Sequence, residues 1–130
     1  MILDTCFLID IMRKEQKAVA LLHELIKKGE HPLVTALSVF ELFSGLQQSS
    51  MPLKEKERIL SVLSGQLIVA FDEASAQRAG LIYGDLIKDG KDIGPLDCMI
   101  AGIALEKKEK VLTRNAQHFL QIAHLEVHTY

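Results

Sequence analysis

No apolar stretch in this chain of 130 residues approaches the ~20 needed to span a bilayer, and neither a basic leader nor a lipidation motif is present. A cytoplasmic protein with no membrane partner is expected. Cysteine is scarce. Cys6 and Cys98 are too few for a disulfide framework and lack the spacing of a redox or zinc motif, so both are expected as small buried hydrophobes. An excess of one charge is also missing, since 15 Lys and Arg against 17 Asp and Glu leave a net charge of −2. That balance argues against coating nucleic acid by bulk charge. It leaves local basic clusters at Arg13, Lys14 and Lys17, at Lys54, Lys56 and Arg58, and at Lys107, Lys108, Lys110 and Arg114, which are expected on solvated helix faces, with a nucleic-acid contact as the alternative for any one of them. No repeat, linker or low-complexity stretch interrupts the chain. With 48% hydrophobic residues there is ample material for one core, and residues 1–130 are expected to form a single domain.

What is present is an alternation of β-like and helical segments. Ile2-Leu3 reads as a short buried strand, followed by a helical turn through Phe7-Leu8-Ile9-Asp10. From about Glu15 to Lys28, Ala18, Leu21, Leu22, Leu25 and Ile26 recur at helical spacing, and Gly29 supplies a C-cap. A second strand is expected after His31-Pro32, then helices over Ser38 to Gln48 and about Leu53 to Ser64, and a third strand over Leu67 to Ala70. Beyond Asp72, a long helix carries a stripe of Ala79, Ile82, Tyr83, Leu86 and Ile87. Gly94-Pro95 opens a nearly all-apolar helix over about Leu96 to Leu105, and Val111 to Thr113 and Leu125 to His128 read as the last strands. Strands alternating with helices predict an α/β fold whose parallel sheet is covered on both faces.

Three acids stand where apolar residues would be expected. Asp4 ends the first apolar run, Glu41 lies within Val39-Phe40-Glu41-Leu42-Phe43, and Asp97 lies in the first turn of the apolar helix, where the helix dipole favours negative charge. A carboxylate among apolar groups is costly unless compensated. If the three converge, each pair repels by about 4 kcal/mol at ~4 Å and an effective dielectric near 20, so the site should recruit a hard divalent cation or hold a proton. Oxygen-only ligation suits Mg²⁺ or Mn²⁺, and the lack of a Cys or His cluster argues against structural zinc. Ligand groups in open parallel sheets gather beyond the carboxyl ends of the strands. Asp4, Asp97 and Thr113-Arg114-Asn115 can face one such crevice, with Glu41 reaching it from its helix.

Phosphodiester hydrolysis is chemistry that needs such ions. Two other readings stay open. One is an Asp-based phosphotransfer domain, although Cys6 stands where a dehalogenase type would need a second Asp and Thr113-Arg114 where a receiver type would need a Lys. The other is a non-catalytic RNA- or partner-binding module. Asp4 could also be a plain turn residue, Asp97 a first-turn acid, Glu41 a solvent-facing one and Asn115 a turn former. Asp10, Asp72, Asp85, Asp89 and Asp92 are expected as caps and solvated faces, and His118 is the histidine that could touch the site.

These residues resemble a family. Met1-Ile2-Leu3-Asp4-Thr5, Ser38-Val39-Phe40-Glu41-Leu42 with Gly45, Ile93-Gly94-Pro95-Leu96-Asp97, and Leu112-Thr113-Arg114-Asn115 leading to Phe119 look like the PIN domain, in its VapC-type toxin branch. The resemblance spans nearly the whole chain. It implies a three-layer α/β/α sandwich with a central parallel sheet, a homodimer, and a metal-dependent endoribonuclease inhibited by a VapB-type antitoxin. It implies Asp4, Glu41 and Asp97 as the catalytic and metal-binding acids. Thr5 and Thr113 match small hydroxyl positions near the family's site. Asn115 falls where many members have a fourth acid, and His118 where many have an acid before the Phe. With an amide at 115, one well-bound ion is expected, and a second would be held weakly. The RNA target is not legible.

Overall fold

A computed structural model describes residues 1–130. Five short strands, β1 (Ile2–Leu3), β2 (Leu33–Thr35), β3 (Leu67–Val69), β4 (Val111–Leu112) and β5 (Val127–His128), form one sheet in the order β3-β2-β1-β4-β5. Every pairing is parallel. Seven helices connect and cover them: α1 (Thr5–Met12), α2 (Gln16–Lys27), α3 (Ala36–Leu46), α4 (Pro52–Leu63), α5 (Glu73–Lys88), α6 (Pro95–Lys107) and α7 (Ala116–Phe119). None is long and apolar enough to cross a membrane.

Successive strand residues point to opposite faces, and here they divide the core in two. Leu3, Val34 and Leu112 pack with Phe7, Leu8, Ala18, Leu25, Leu42 and Ile59, beneath the first four helices. Ile2 and Val111 pack with Leu86, Ile100, Ile103, Ala104 and Phe119 on the other side. The result is the α/β/α sandwich. α6 is buried almost along its length, as its apolar sequence requires, and it meets α5 closely at Gly102. A Cβ there would lie 2.6 Å from the Ser75 carbonyl oxygen and 2.8 Å from the Ala79 Cβ.

Element boundaries depart from the sequence reading where caps decide them. α1 is a full helix rather than a turn, because Asp4 takes the N-cap position and its carboxylate accepts from the Thr5 N–H. α3 begins directly after β2, since the Thr35 hydroxyl accepts from the Ser38 N–H at 3.1 Å. Gly94, at φ +89°, turns the chain into Pro95 and α6. Ile87, assigned to the apolar stripe of α5, is exposed, as is Leu81 on the same helix.

This topology places the site. The chain runs from β1 outward through β2 and β3 on one side and then returns to β4 on the other, so the order reverses between β1 and β4. A crevice opens at such a switch point, beyond the carboxyl ends of the strands. Asp4 and Thr113 are the residues that follow β1 and β4.

Candidate active site

Asp4 is buried and held at both oxygens. Oδ1 accepts from the Thr5 N–H at 2.8 Å, and Oδ2 accepts from the Thr113 hydroxyl at 2.7 Å and the Cys6 thiol at 3.3 Å. Its own N–H donates to the Leu112 carbonyl at 3.0 Å, tying the carboxylate to β4. The Thr113 hydroxyl also accepts from the Asn115 N–H at 2.9 Å, which leaves its single proton for Asp4.

Glu41 comes over the crevice from α3, where the Thr5 hydroxyl donates to its Oε1 at 2.8 Å. Burial pushes its carboxyl above the usual range, and the charges of Asp4 and Asp97 push the same way against the opposing Thr5 bond. Asp97 is raised likewise, first by burial and then by Asp4, with His118 pulling it down. The His118 Nδ1 lies 2.6 Å from Asp97 Oδ2, and the Asn115 Nδ2 lies 2.9 Å from the same ring nitrogen. The three acids thus lie near one another, so that the charges of Asp4 and Asp97 repel an ionised Glu41 and that of Asp4 repels an ionised Asp97.

A divalent cation would relieve that repulsion. No three His, Cys, Asp or Glu side chains close into a ready-made metal cage, yet Mg²⁺ is typically held by one or two carboxylates and keeps several waters. Asp4, held by Thr113, and Asp97 are the oxygen donors that could hold such an ion with waters completing its shell, and Glu41, held by Thr5, stands beside them. Asn115 is exposed and its amide is turned to His118.

Sequence reasoning missed several neighbours. Asp10, expected as a cap or solvated residue, is buried. Its oxygens take a guanidinium nitrogen of Arg114 at 3.2 and 2.9 Å and the Tyr130 hydroxyl at 2.7 Å. The signal was present, because Asp10 interrupts an apolar helical run just as Asp97 does. Cys6 is only partly buried, and its thiol faces Asp4 while its sulfur accepts from the Arg114 N–H at 3.4 Å. Burial, followed by the Asp4 charge, holds that thiol above its ordinary value. Cys98 is the buried hydrophobe expected, its thiol pushed up to about 11, chiefly by burial. Asp72 caps α5 at the Ser75 N–H, and Asp92 takes the Gly94 N–H, both as expected of turn acids.

Residues of the first two basic clusters border two grooves on the α1 side. One, of about 790 Å³, has Arg13, Lys14, Lys54 and Arg58 along it and none of the three acids. A smaller one, of about 300 Å³, runs from Arg13 and Arg58 to Glu41.

The chain and its fold are similar to those of known proteins. The PIN domain pattern matches residues 1–125. The tRNA(fMet)-specific endonuclease VapC of Shigella flexneri is 31% identical over 96 residues, covering 71% of this chain and 70% of that protein. Ribonuclease VapC19 of Mycobacterium tuberculosis (strain CDC 1551 / Oshkosh) is 30% identical over 118 residues, 91% of this chain and 90% of that one. The crystal structure of VapBC2 from Rickettsia felis, bound to a DNA fragment from their promoter, superposes with a TM-score of 0.91 over 99% of this chain and 97% of that one. At 21% identity that likeness speaks for the fold.

Proposed function

The chain belongs to the PIN domain family, and from that membership we propose that it is the endoribonuclease toxin of a VapBC-type pair, acting in the cytoplasm on RNA with Mg²⁺ or Mn²⁺. The observation that carries the reading is the convergence of Asp4, Glu41 and Asp97 beside the sheet's switch point, where Thr113 bonds Asp4 and Thr5 bonds Glu41. Curated relatives that are ribonucleases by name support it.

In this reading Asp4 and Asp97 are the direct metal ligands, and Glu41 ligates or acts through a water. A bound ion would supply a Lewis acid for the scissile phosphate and lower the pKa of a water. The chain's own residues do the positioning. Thr113 and the Thr5 N–H fix Asp4, and the Thr5 hydroxyl fixes Glu41. Glu41, harder to ionise and so more basic than an ordinary carboxylate, is suited to take a proton from the attacking water, whose oxygen bonds to phosphorus as the bond to the leaving ribose oxygen breaks and that oxygen is protonated from solvent.

A VapB-type antitoxin is the proposed partner. An Arg entering the crevice would compensate the same negative charge as the cation does. A homodimer is also proposed, for which Phe40 on α3, 61% exposed, is an apolar side chain available to be covered. Phe40→Glu would then shift the protein to monomer by sedimentation.

The test uses purified protein and single-stranded RNA. Cleavage is expected with Mg²⁺ or Mn²⁺, stopped by chelator and abolished in Asp4→Asn without loss of fold. Retained cleavage in Asp4→Asn would overturn the site assignment. RNA binding without cleavage in any metal would favour the non-catalytic module instead.

A further inference from the structure

Beside the acid crevice stands a cation that does not enter it. Arg114 lies in the chain between two residues of the site, Thr113, which bonds Asp4, and Asn115, which lies against the ring nitrogen that holds Asp97. Its backbone N–H donates to Cys6 Sγ, and the Cys6 thiol in turn donates to Asp4. The backbone of Arg114 is thus two hydrogen bonds from the Asp4 carboxylate. Its side chain nevertheless turns away, to Asp10 on α1.

Asp10 is built to keep it there. Its side chain is 5% exposed while that of Arg114 is 58% exposed, and one guanidinium nitrogen spans both carboxylate oxygens at 2.9 and 3.2 Å. The Tyr130 hydroxyl donates to Asp10 Oδ2 at 2.7 Å, and the Tyr130 ring packs edge-on against Phe7 at 4.8 Å between centroids. The anchor is therefore buried, oriented and tied into the core, whereas the cation it holds sits on a long, partly solvated side chain.

We propose that Asp10 parks Arg114 away from the crevice formed by Asp4, Glu41 and Asp97, leaving that crevice open to a divalent cation. The inference rests on the reading of the crevice as a cation site. Without a negative charge at position 10, the guanidinium is free to turn to the acids its own backbone adjoins through Cys6, and an Arg–carboxylate pair there would exclude the ion by compensating the charge it needs. The buried acid that the nuclease chemistry does not use acquires a role. It keeps the chain's own arginine from acting as an internal inhibitor.

The experiment measures Mn²⁺ binding to the whole protein by calorimetry, for the wild type, Asp10→Asn, Arg114→Gln and the double variant, with thermal unfolding as the control for fold. Asp10→Asn is expected to weaken Mn²⁺ about tenfold or more, Arg114→Gln to leave it within about twofold, and the double variant to recover wild-type affinity. A double variant as weak as Asp10→Asn, or Arg114→Gln alone as weak, overturns the proposal and makes the pair a staple between α1 and the turn after β4. Unchanged affinity in Asp10→Asn overturns it as well. If Asn at position 10 prevents folding, Asp10→Ser, alone and with Arg114→Gln, repeats the comparison and is read the same way. Folded wild-type protein that binds no Mn²⁺ would instead remove the cation reading on which the inference rests.

Discussion

The Thr5 hydroxyl donates to Glu41 Oε1 across 2.8 Å, joining the first turn of α1 to the middle of α3. Thr5 follows Asp4 directly, so one short segment positions two of the three acids. Thr5→Val keeps the shape and removes the donor. Cleavage should fall by about 10- to 100-fold, as for lost outer partners of metal-site ligands, while Thr5→Ser restores most of it. A Val variant with full activity would show that Glu41 needs no positioning.

Glu41 and Asp97 both resist ionisation in the folded protein, against ordinary values of 4.5 and 3.8. Just above those values the folded state holds more protons than the unfolded one, so stability falls as pH rises. The contribution is complete below the unfolded values and is lost as pH passes the raised folded ones. Metal-free protein should therefore show a Tm that falls as pH rises above the ordinary carboxylate range, through the raised values of these two groups. Added Mn²⁺, which prefers the ionised acids, should offset the loss by about 2.7 kcal/mol at a hundred times its Kd. Asp97→Asn should flatten the profile and abolish cleavage. An unchanged profile in that variant would show that Asp97 feels no such penalty.

His118 lowers the Asp97 pKa through a 2.6 Å hydrogen bond and through its charge. In His118→Ala, Asp97 ionises at higher pH, and the ionised form is the one that binds a cation. The acid limb of the rate profile should move to higher pH, with activity regained at alkaline pH or by raising Mn²⁺. An acid limb that stays in place would assign His118 to packing alone.

Gly102 is required by the approach of α6 to α5, since a Cβ would meet the Ser75 carbonyl at 2.6 Å. Backbone cannot yield as a side-chain tip can. Gly102→Ala should cost about 1–3 kcal/mol by overpacking, read by denaturant unfolding. Little change would mean that the two helices separate easily.

Much of this was local and therefore legible along the chain. Helix ends follow from Gly29, Gly90 and Gly94-Pro95, strands from short β-rich runs, and parallel order from their alternation with helices. Asp4, Glu41 and Asp97 announced themselves because each is a charge on an apolar segment, and such a charge requires compensation whatever the fold. Asp10 obeyed the same rule and was passed over, because a short helix can present a polar residue to solvent as easily as to the interior. Only the chain's return to β4, beside β1, decides which. That return brings Arg114 and Tyr130 onto Asp10, Thr113 onto Asp4 and His118 onto Asp97, in pairs separated by 104, 120, 109 and 21 residues. Composition and periodicity determined the layers and the acids. Long-range packing decided their partners, because a hydrogen bond between distant residues depends on where the strands are placed in the sheet, and no local pattern records that.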